Sequence, residues 1–182
     1  MKNITSRNSF FLVILLLFLA SCQSSKTTWS KRLYDPVEVA QLSNKLGISL
    51  NNTDVEDDRN MPLYAEVSLW LGTKYCTGGA TKKCVDCSGF VTKIYQNVYG
   101  MNLPRTTSQM SGMKMQKISK NNLRAGDLIF FATSKSHSNI NHIGIYLKNG
   151  RFVHASTTRG VVVDNLDQDY YKKAWRKAGR VR

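Results

Sequence analysis

Cys87 is the residue around which the chemistry of this chain can be built. It stands in Cys84-Val85-Asp86-Cys87-Ser88-Gly89-Phe90, a thiol flanked by a carboxylate and a hydroxyl. After it Phe90, Val91, Ile94, Tyr95 and Val98 recur at steps of three and four residues and Gly100 follows, the pattern of an amphipathic helix with a glycine stop. Cys87 therefore sits where a helix begins, and unpaired backbone N–H groups and the positive end of the helix dipole favour a thiolate there. A thiol nucleophile also needs a base. His142 and His154 flank a predicted β-hairpin downstream, which completes the outline of a cysteine–histidine hydrolase.

The register of that hairpin decides whether the two histidines can cooperate. A two-residue Asn149-Gly150 loop would pair Lys148 with Arg151 and send His142 and His154 to opposite faces. A three-residue loop, Lys148-Asn149-Gly150, built as a type I turn with Gly150 left-handed in a bulge, pairs Leu147 with Arg151 instead. Both histidines then share a face as diagonal neighbours, roughly 7 Å apart at Cα. The chemistry therefore predicts the bulged hairpin.

The elements that must position these residues read as helices first and strands after. Asp35-Pro36-Val37-Glu38 opens a helix, with Asp35 as N-cap and Glu38 reaching back in a capping box, and Gly47 closes it. Residues 51–60 are polar and acidic; lacking the central glycine and terminal glutamate of a calcium loop, they read as a solvated linker. A second helix is predicted from Pro62 to Leu71, with Leu63, Val67, Trp70 and Leu71 on its buried side and Gly72 as its stop. The loop of residues 73–85 delivers Cys87, and residues 106–112 form a short helical turn after Pro104. Strands are predicted at residues 128–132, 142–147, 151–155, 160–163 and 175–181. Helices followed by antiparallel strands make an α+β fold.

Six blocks, taken in order, resemble the NlpC/P60 cysteine peptidases over residues 62–182. They are Gly72-Thr73-Lys74-Tyr75-Cys76-Thr77-Gly78-Gly79, Asp86-Cys87-Ser88-Gly89-Phe90, Leu103-Pro104-Arg105, Gly126-Asp127-Leu128-Ile129-Phe130-Phe131, His142-Ile143-Gly144-Ile145-Tyr146 and Phe152-Val153-His154-Ala155. The resemblance implies a papain-like fold, N-terminal helices packed on an antiparallel β-sheet. It implies amide hydrolysis through a thioester, with Cys87 attacking, His142 moving the proton and His154 orienting His142. The Cys87 backbone N–H is the expected oxyanion donor and the Tyr75 hydroxyl a second. Tyr75, Asp86 and Ser88 are the expected substrate-binding residues, the last two at the free amino end of a short cell-wall peptide. Arg105 is expected to be structural, and His137 and Asn139 to lie in a polar, solvent-facing loop. No cofactor and no metal are implied. The implied substrates are peptidoglycan stem peptides, cut between γ-D-glutamyl and diaminopimelate or between D-alanyl and diaminopimelate. The rival from another class is a non-catalytic peptidoglycan-binding lipoprotein whose Cys87 is locked in a disulfide; an acyltransferase on the same fold suits the aqueous setting poorly.

The N-terminus sets the compartment. Lys2 and Arg7 precede the apolar run Phe10 to Ala20, too short to span a bilayer and of the length of a signal-peptide core. Leu19-Ala20-Ser21-Cys22 resembles a bacterial lipobox, with Cys22 diacylated and made the mature N-terminus. The expected organisation is a signal peptide at 1–21, a tether and helical extension at 22–61 and the catalytic domain at 62–182. The expected location is the cell envelope, held to a membrane by the N-terminal lipid, and Gln23 points to the outer membrane in a diderm by family analogy. Removing residues 1–21 takes away two basic and no acidic side chains and lowers the net charge from +14 to +12. That excess fits anionic envelope polymers and equally a solvated cationic face. Stacking-aromatic motifs and zinc-finger spacings are absent, so nucleic acid is not an expected partner. Cys76 and Cys84 occupy positions where the family commonly has a basic residue and a glycine, and the two departures suggest a Cys76–Cys84 disulfide. A Cys84–Cys87 pair, which would silence the enzyme, stays open, and a zinc site is poorly spaced.

Overall fold

The computed structural model describes residues 34–181 apart from 52 and 135–138. The predicted signal peptide, Cys22, the tether at 23–30 and His137 lie outside the described residues.

Helix α1 (Pro36–Leu46) starts at Asp35, whose carboxylate accepts the Val37 N–H at 2.7 Å, and ends on left-handed Gly47. The cap rests on Asp35; no Glu38 side-chain bond completes the expected box among the described residues. Helix α2 runs from Val55 to Ser68, not from Pro62, so residues 55–60 of the stretch read as a linker are helical and only 51–54 precede it. Asp54 caps it by accepting the Glu56 N–H at 2.9 Å, and Glu56, Asp57 and Asp58 favour the positive end of the helix. Pro62 therefore lies inside the helix, where it removes one backbone bond. Burial of Met61, Leu63, Tyr64 and Val67 around it offsets that cost. Asp57 is buried and bonds Lys148 Nζ through both oxygens at 2.6 Å, tying α2 to the hairpin that carries the histidines. Helix α2 runs through the boundary placed between residues 61 and 62.

A short parallel pair, β1 (Lys74–Tyr75) and β2 (Cys84–Val85), leads into α3 (Cys87–Tyr99), which buries Phe90, Val91, Ile94 and Tyr95 and stops on left-handed Gly100. Helix α4 (Thr107–Gly112) has a complete capping box between Thr106 and Gln109. The sheet then follows: β3 (Gln116–Ile118), β4 (Leu128–Phe131), β5 (His142–Tyr146), β6 (Arg151–Ser156), β7 (Gly160–Asn165), a short α5 (Asp169–Ala174) and β8 (Trp175–Arg180). The six strands lie in the order β3-β8-β4-β5-β6-β7, every neighbouring pair antiparallel. This is the α+β arrangement expected; β1, β2, β3 and α5 are additions to it. Among the described residues no helix is long and apolar enough to cross a membrane.

Alternation along the strands builds two cores. Leu128, Phe130, Ile143, Ile145 and Val153 face α2 and α3, while Ile129, Phe131 and Phe152 face the other way and are covered by Tyr171 and Ala174 of α5. His142 lies opposite Phe131 in the ladder, so it belongs to the second face.

The hairpin has the expected register: Ile145 pairs with Val153, Tyr146 with Phe152, and Leu147 N–H donates to Arg151 O at 2.9 Å. The turn differs from the one expected. Asn149 and Gly150 are both left-handed, at φ 52° and 76°, instead of Gly150 alone. Asparagine tolerates that conformation better than other side chains, which lets the turn close at Lys148 O while the register keeps its extra residue.

Candidate active site

The start of α3 is held by one carboxylate. Asp86 Oδ1 accepts the Gly89 N–H at 2.6 Å, the Ser88 hydroxyl at 3.1 Å and Arg105 NH1 at 2.9 Å; Oδ2 accepts the Gly78 N–H at 2.9 Å and Arg105 NH2 at 2.8 Å. Burial alone would push its pKa up, but these bonds, led by Arg105, hold it below the usual carboxylate range. Both oxygens are thus saturated within the protein. Arg105 also donates to Gly79 O at 3.1 Å, which makes it the structural residue expected. A Cβ at Gly89 would fall 2.2 Å from Gly79 O, so loop and helix meet backbone to backbone. Cys76 and Cys84 are joined in a disulfide across this loop, and Cys87 is a free thiol.

The position of the Cys87 sulfur follows from how β5 and β6 part. The odd-numbered amides of β5 point toward β6, as the Leu147 bond shows, but pairing reaches only Ile145 and Val153. Beyond that point the Ile143 N–H has no β6 partner. It meets Cys87 Sγ instead, alongside the Ser88 N–H and the Thr107 hydroxyl at 3.5 Å. The thiol therefore lies against the residue that follows His142.

One expectation from the sequence is corrected here. Burial pushes the Cys87 thiol up, and Asp86 adds to that; the Thr107 hydroxyl and the two amides pull it down without offsetting the burial. Burial is the main cause; at the helix start Asp86, which takes the Gly89 N–H, adds a smaller one by bringing a negative charge near the sulfur. The thiolate expected at the helix start is thus disfavoured, mainly by burial. Tyr75 is placed beside it: burial first, then Cys87 and Asp86, push the phenol up, so its hydroxyl stays a proton donor.

His142 Nε2 and His154 Nδ1 are 2.8 Å apart, with the rings perpendicular. Burial, with His154 alongside, lowers the His142 pKa to about 3, so the imidazole rests neutral. Its Nδ1 makes no hydrogen bond among the described residues. His154 stacks on Phe152, and its Nε2 lies 2.9 Å from Asp164 Oδ2 and 3.1 Å from the Tyr171 hydroxyl. Tyr171 donates to the same Oδ2 at 2.7 Å, and Arg159 forks onto both carboxylate oxygens. Burial would raise the pKa of Asp164, but His154, Arg159 and Tyr171 hold it well below the usual range. Beyond His154 lies a polar cavity lined by Ser156, Thr158, Arg159, Gln168, Tyr170 and Tyr171. Asn139 is exposed, as expected.

Asp164, Arg159 and Tyr171 were not singled out in the sequence. A signal existed for Asp164: it breaks the apolar run Val161-Val162-Val163 on a strand. Its register opposite Phe152 makes it a diagonal neighbour of His154, by the geometry that joins the two histidines.

Comparisons place the chain among known proteins. Residues 72–180 match the NlpC/P60 family. The chain is 42% identical over 132 residues to the Escherichia coli protein named murein DD-endopeptidase MepS/murein LD-carboxypeptidase, which covers 72% of this chain and 66% of that protein. It is 32% identical over 180 residues to a probable endopeptidase NlpC homolog of Haemophilus influenzae, covering 92% and 94%. Among solved structures, an NlpC/P60 family protein from Bacillus cereus superposes with a TM-score of 0.60 at 29% identity, over 66% of this chain and 39% of that one. The NlpC/p60 domain of the peptidoglycan hydrolase SagA gives 0.57 at 28% identity, over 67% and 98%. The chain thus spans just under two thirds of the length of its E. coli murein relative. Matched in family, sequence and fold, it belongs to the NlpC/P60 family.

Proposed function

We propose that the protein is a peptidoglycan hydrolase, a cysteine endopeptidase that cuts stem-peptide amide bonds. The observation that carries the reading is a free thiol at a helix start, lying against the Ile143 amide one residue after a neutral His142 that is itself bonded to His154. The names of the relatives, a murein endopeptidase and a peptidoglycan hydrolase among them, support the substrate class.

In this reading His142 acts as a general base rather than as half of a preformed ion pair, because both partners rest neutral. Nδ1 takes the thiol proton as sulfur attacks the scissile carbonyl, and returns it to the leaving amine as the thioester forms; water then releases the acyl group. The Cys87 N–H and the Tyr75 hydroxyl hold the developing oxyanion. Asp86 and Ser88 keep their assignment to the amino end of the substrate by resemblance. With both Asp86 oxygens engaged, an ammonium group there has to displace Ser88 or share the carboxylate with Arg105. Cys22 carries the lipid that holds the domain at a membrane, the outer one in a diderm.

Digesting purified murein with the wild type and with Cys87→Ala, and identifying the fragments by mass spectrometry, tests the reading and reports the bond cut. Absence of any Cys87-dependent fragment overturns it.

A further inference from the structure

We infer that Asp164 is a positioning residue which, held by Arg159 and working with Tyr171, sets the tautomers of both imidazoles so that His142 presents a bare Nδ1 to Cys87. The inference rests on Cys87 and His142 being nucleophile and base, and it adds a link two residues removed from the sulfur.

An ionised carboxylate only accepts, so at 2.9 Å from Asp164 Oδ2 the His154 Nε2 must carry hydrogen. With a single hydrogen on the His154 ring, that hydrogen is the one spent on Asp164, which leaves Nδ1 as an acceptor. The atom 2.8 Å from it, His142 Nε2, must then be the donor. His142 is neutral and has spent its one hydrogen on that side, so Nδ1 is bare. When Nδ1 takes the Cys87 proton, the imidazolium still donates from Nε2 to His154, and the Asp164 charge lies one ring further on.

Tyr171 makes the arrangement depend on Asp164. Its hydroxyl is within reach of both His154 Nε2, at 3.1 Å, and Asp164 Oδ2, at 2.7 Å, and has one hydrogen to give. With the carboxylate present that hydrogen goes to Oδ2. Without it the hydroxyl donates to His154 Nε2, His154 becomes Nδ1–H, and His142 must accept at Nε2 and hold its hydrogen at Nδ1. A base with that tautomer cannot take the thiol proton. Arg159 keeps Asp164 ionised and aimed, and Thr133 and Ser156 beside the rings carry no charge. Cys87, His142, His154, Asp164, Arg159 and Tyr171 are thus the ionisable groups of the relay.

The test uses the full folded chain, 15N-labelled at histidine. Long-range 1H–15N spectra report each ring's tautomer in the wild type, Asp164→Asn and the double variant Asp164→Ala/Tyr171→Phe, with thermal unfolding as a check on fold. The wild type should show His142 with hydrogen on Nε2. Asp164→Asn, whose amide can donate to His154, should move it to Nδ1 and slow Cys87-dependent murein digestion by about 10²-fold or more; an Asp-to-Asn change directly behind a triad histidine costs about 10⁴. The double variant lacks both the amide and the phenol as donors and keeps only Arg159 nearby, so recovery of at least about tenfold of the loss would trace the defect to the donated hydrogen. A folded Asp164→Asn that keeps hydrogen on His142 Nε2, or that digests murein at the wild-type rate, overturns the inference. The two readings fail separately: a wild type that cuts no murein removes the peptidase, whereas the tautomer spectra judge the relay with no substrate present.

Discussion

Acidification should unfold this protein through His142, and the size of the effect can be worked from its surroundings. The imidazole is buried between His154 and Phe131, and its pKa is lowered from 6.5 to about 3. A lowered pKa means that the unfolded chain binds a proton the folded protein refuses. Stability is therefore fully present above about pH 6.5 and is lost as pH falls toward 3. Each unit in that window costs about 1.4 kcal/mol, so going from pH 7.5 to 4.5 should remove about 3 kcal/mol, a large share of the 5–15 kcal/mol typical of a domain. Asp86 and Asp164, with lowered pKa values, lose their contributions below the usual carboxylate range and so act mainly under this window. His142→Gln keeps a donor for His154 Nδ1 and removes the titration. Urea unfolding of both proteins at the two pH values is the assay, and the fall in the variant should be smaller by about 3 kcal/mol. If wild type and variant fall by the same amount, within about 1 kcal/mol, the buried neutral imidazole is not the cause and the reasoning fails.

Other outcomes follow from the same surroundings. Because burial raises the Cys87 thiol, iodoacetamide alkylation should keep accelerating above pH 9 in the substrate-free enzyme; a plateau near neutral pH would reveal a preformed thiolate instead. Gly89→Ala forces a methyl group to within 2.2 Å of Gly79 O, against backbone on one side and the Asp86–Arg105 pair on the other. It should cost roughly 2–4 kcal/mol in chemical denaturation and most of the murein digestion, and a loss under about 0.5 kcal/mol would contradict the contact. Replacing Cys76 and Cys84 by serine opens a loop with a sequence separation of 8, for which chain entropy suggests roughly 2–3 kcal/mol. Thermal unfolding with and without reductant should show the wild type falling toward the variant, and an unchanged midpoint would mean the bond does not constrain the chain.

Local pattern carried the parts of the fold in which each residue's neighbours are near in sequence. The period of Phe90, Val91, Ile94 and Tyr95 marks α3, Gly100 marks its end, and short apolar or β-branched runs between turn residues mark most of the longer strands, because those signals depend on a single element. It failed at α2. The acids from Asp54 to Asp58 read as solvated, and Pro62 reads as a first-turn residue, unless it is known that Asp57 meets Lys148 across the molecule. The hairpin lay between the two cases. Chemistry selected its register correctly, whereas its turn depended on a left-handed Asn149 that no periodicity signals.

By itself the sequence determined a thiol at the first turn of a helix and two histidines flanking a ribbon, whose shared face followed once the chemistry had selected the register. Only the tertiary structure decided the protonation and the company of these groups. The neutral state of Cys87 and His142 comes from burial by distant segments, and the order of hydrogen bonds from His142 to Arg159 comes from packing β7 and α5 against β6. Desolvation and partner choice are properties of the space around an atom, and that space is filled by residues far away along the chain.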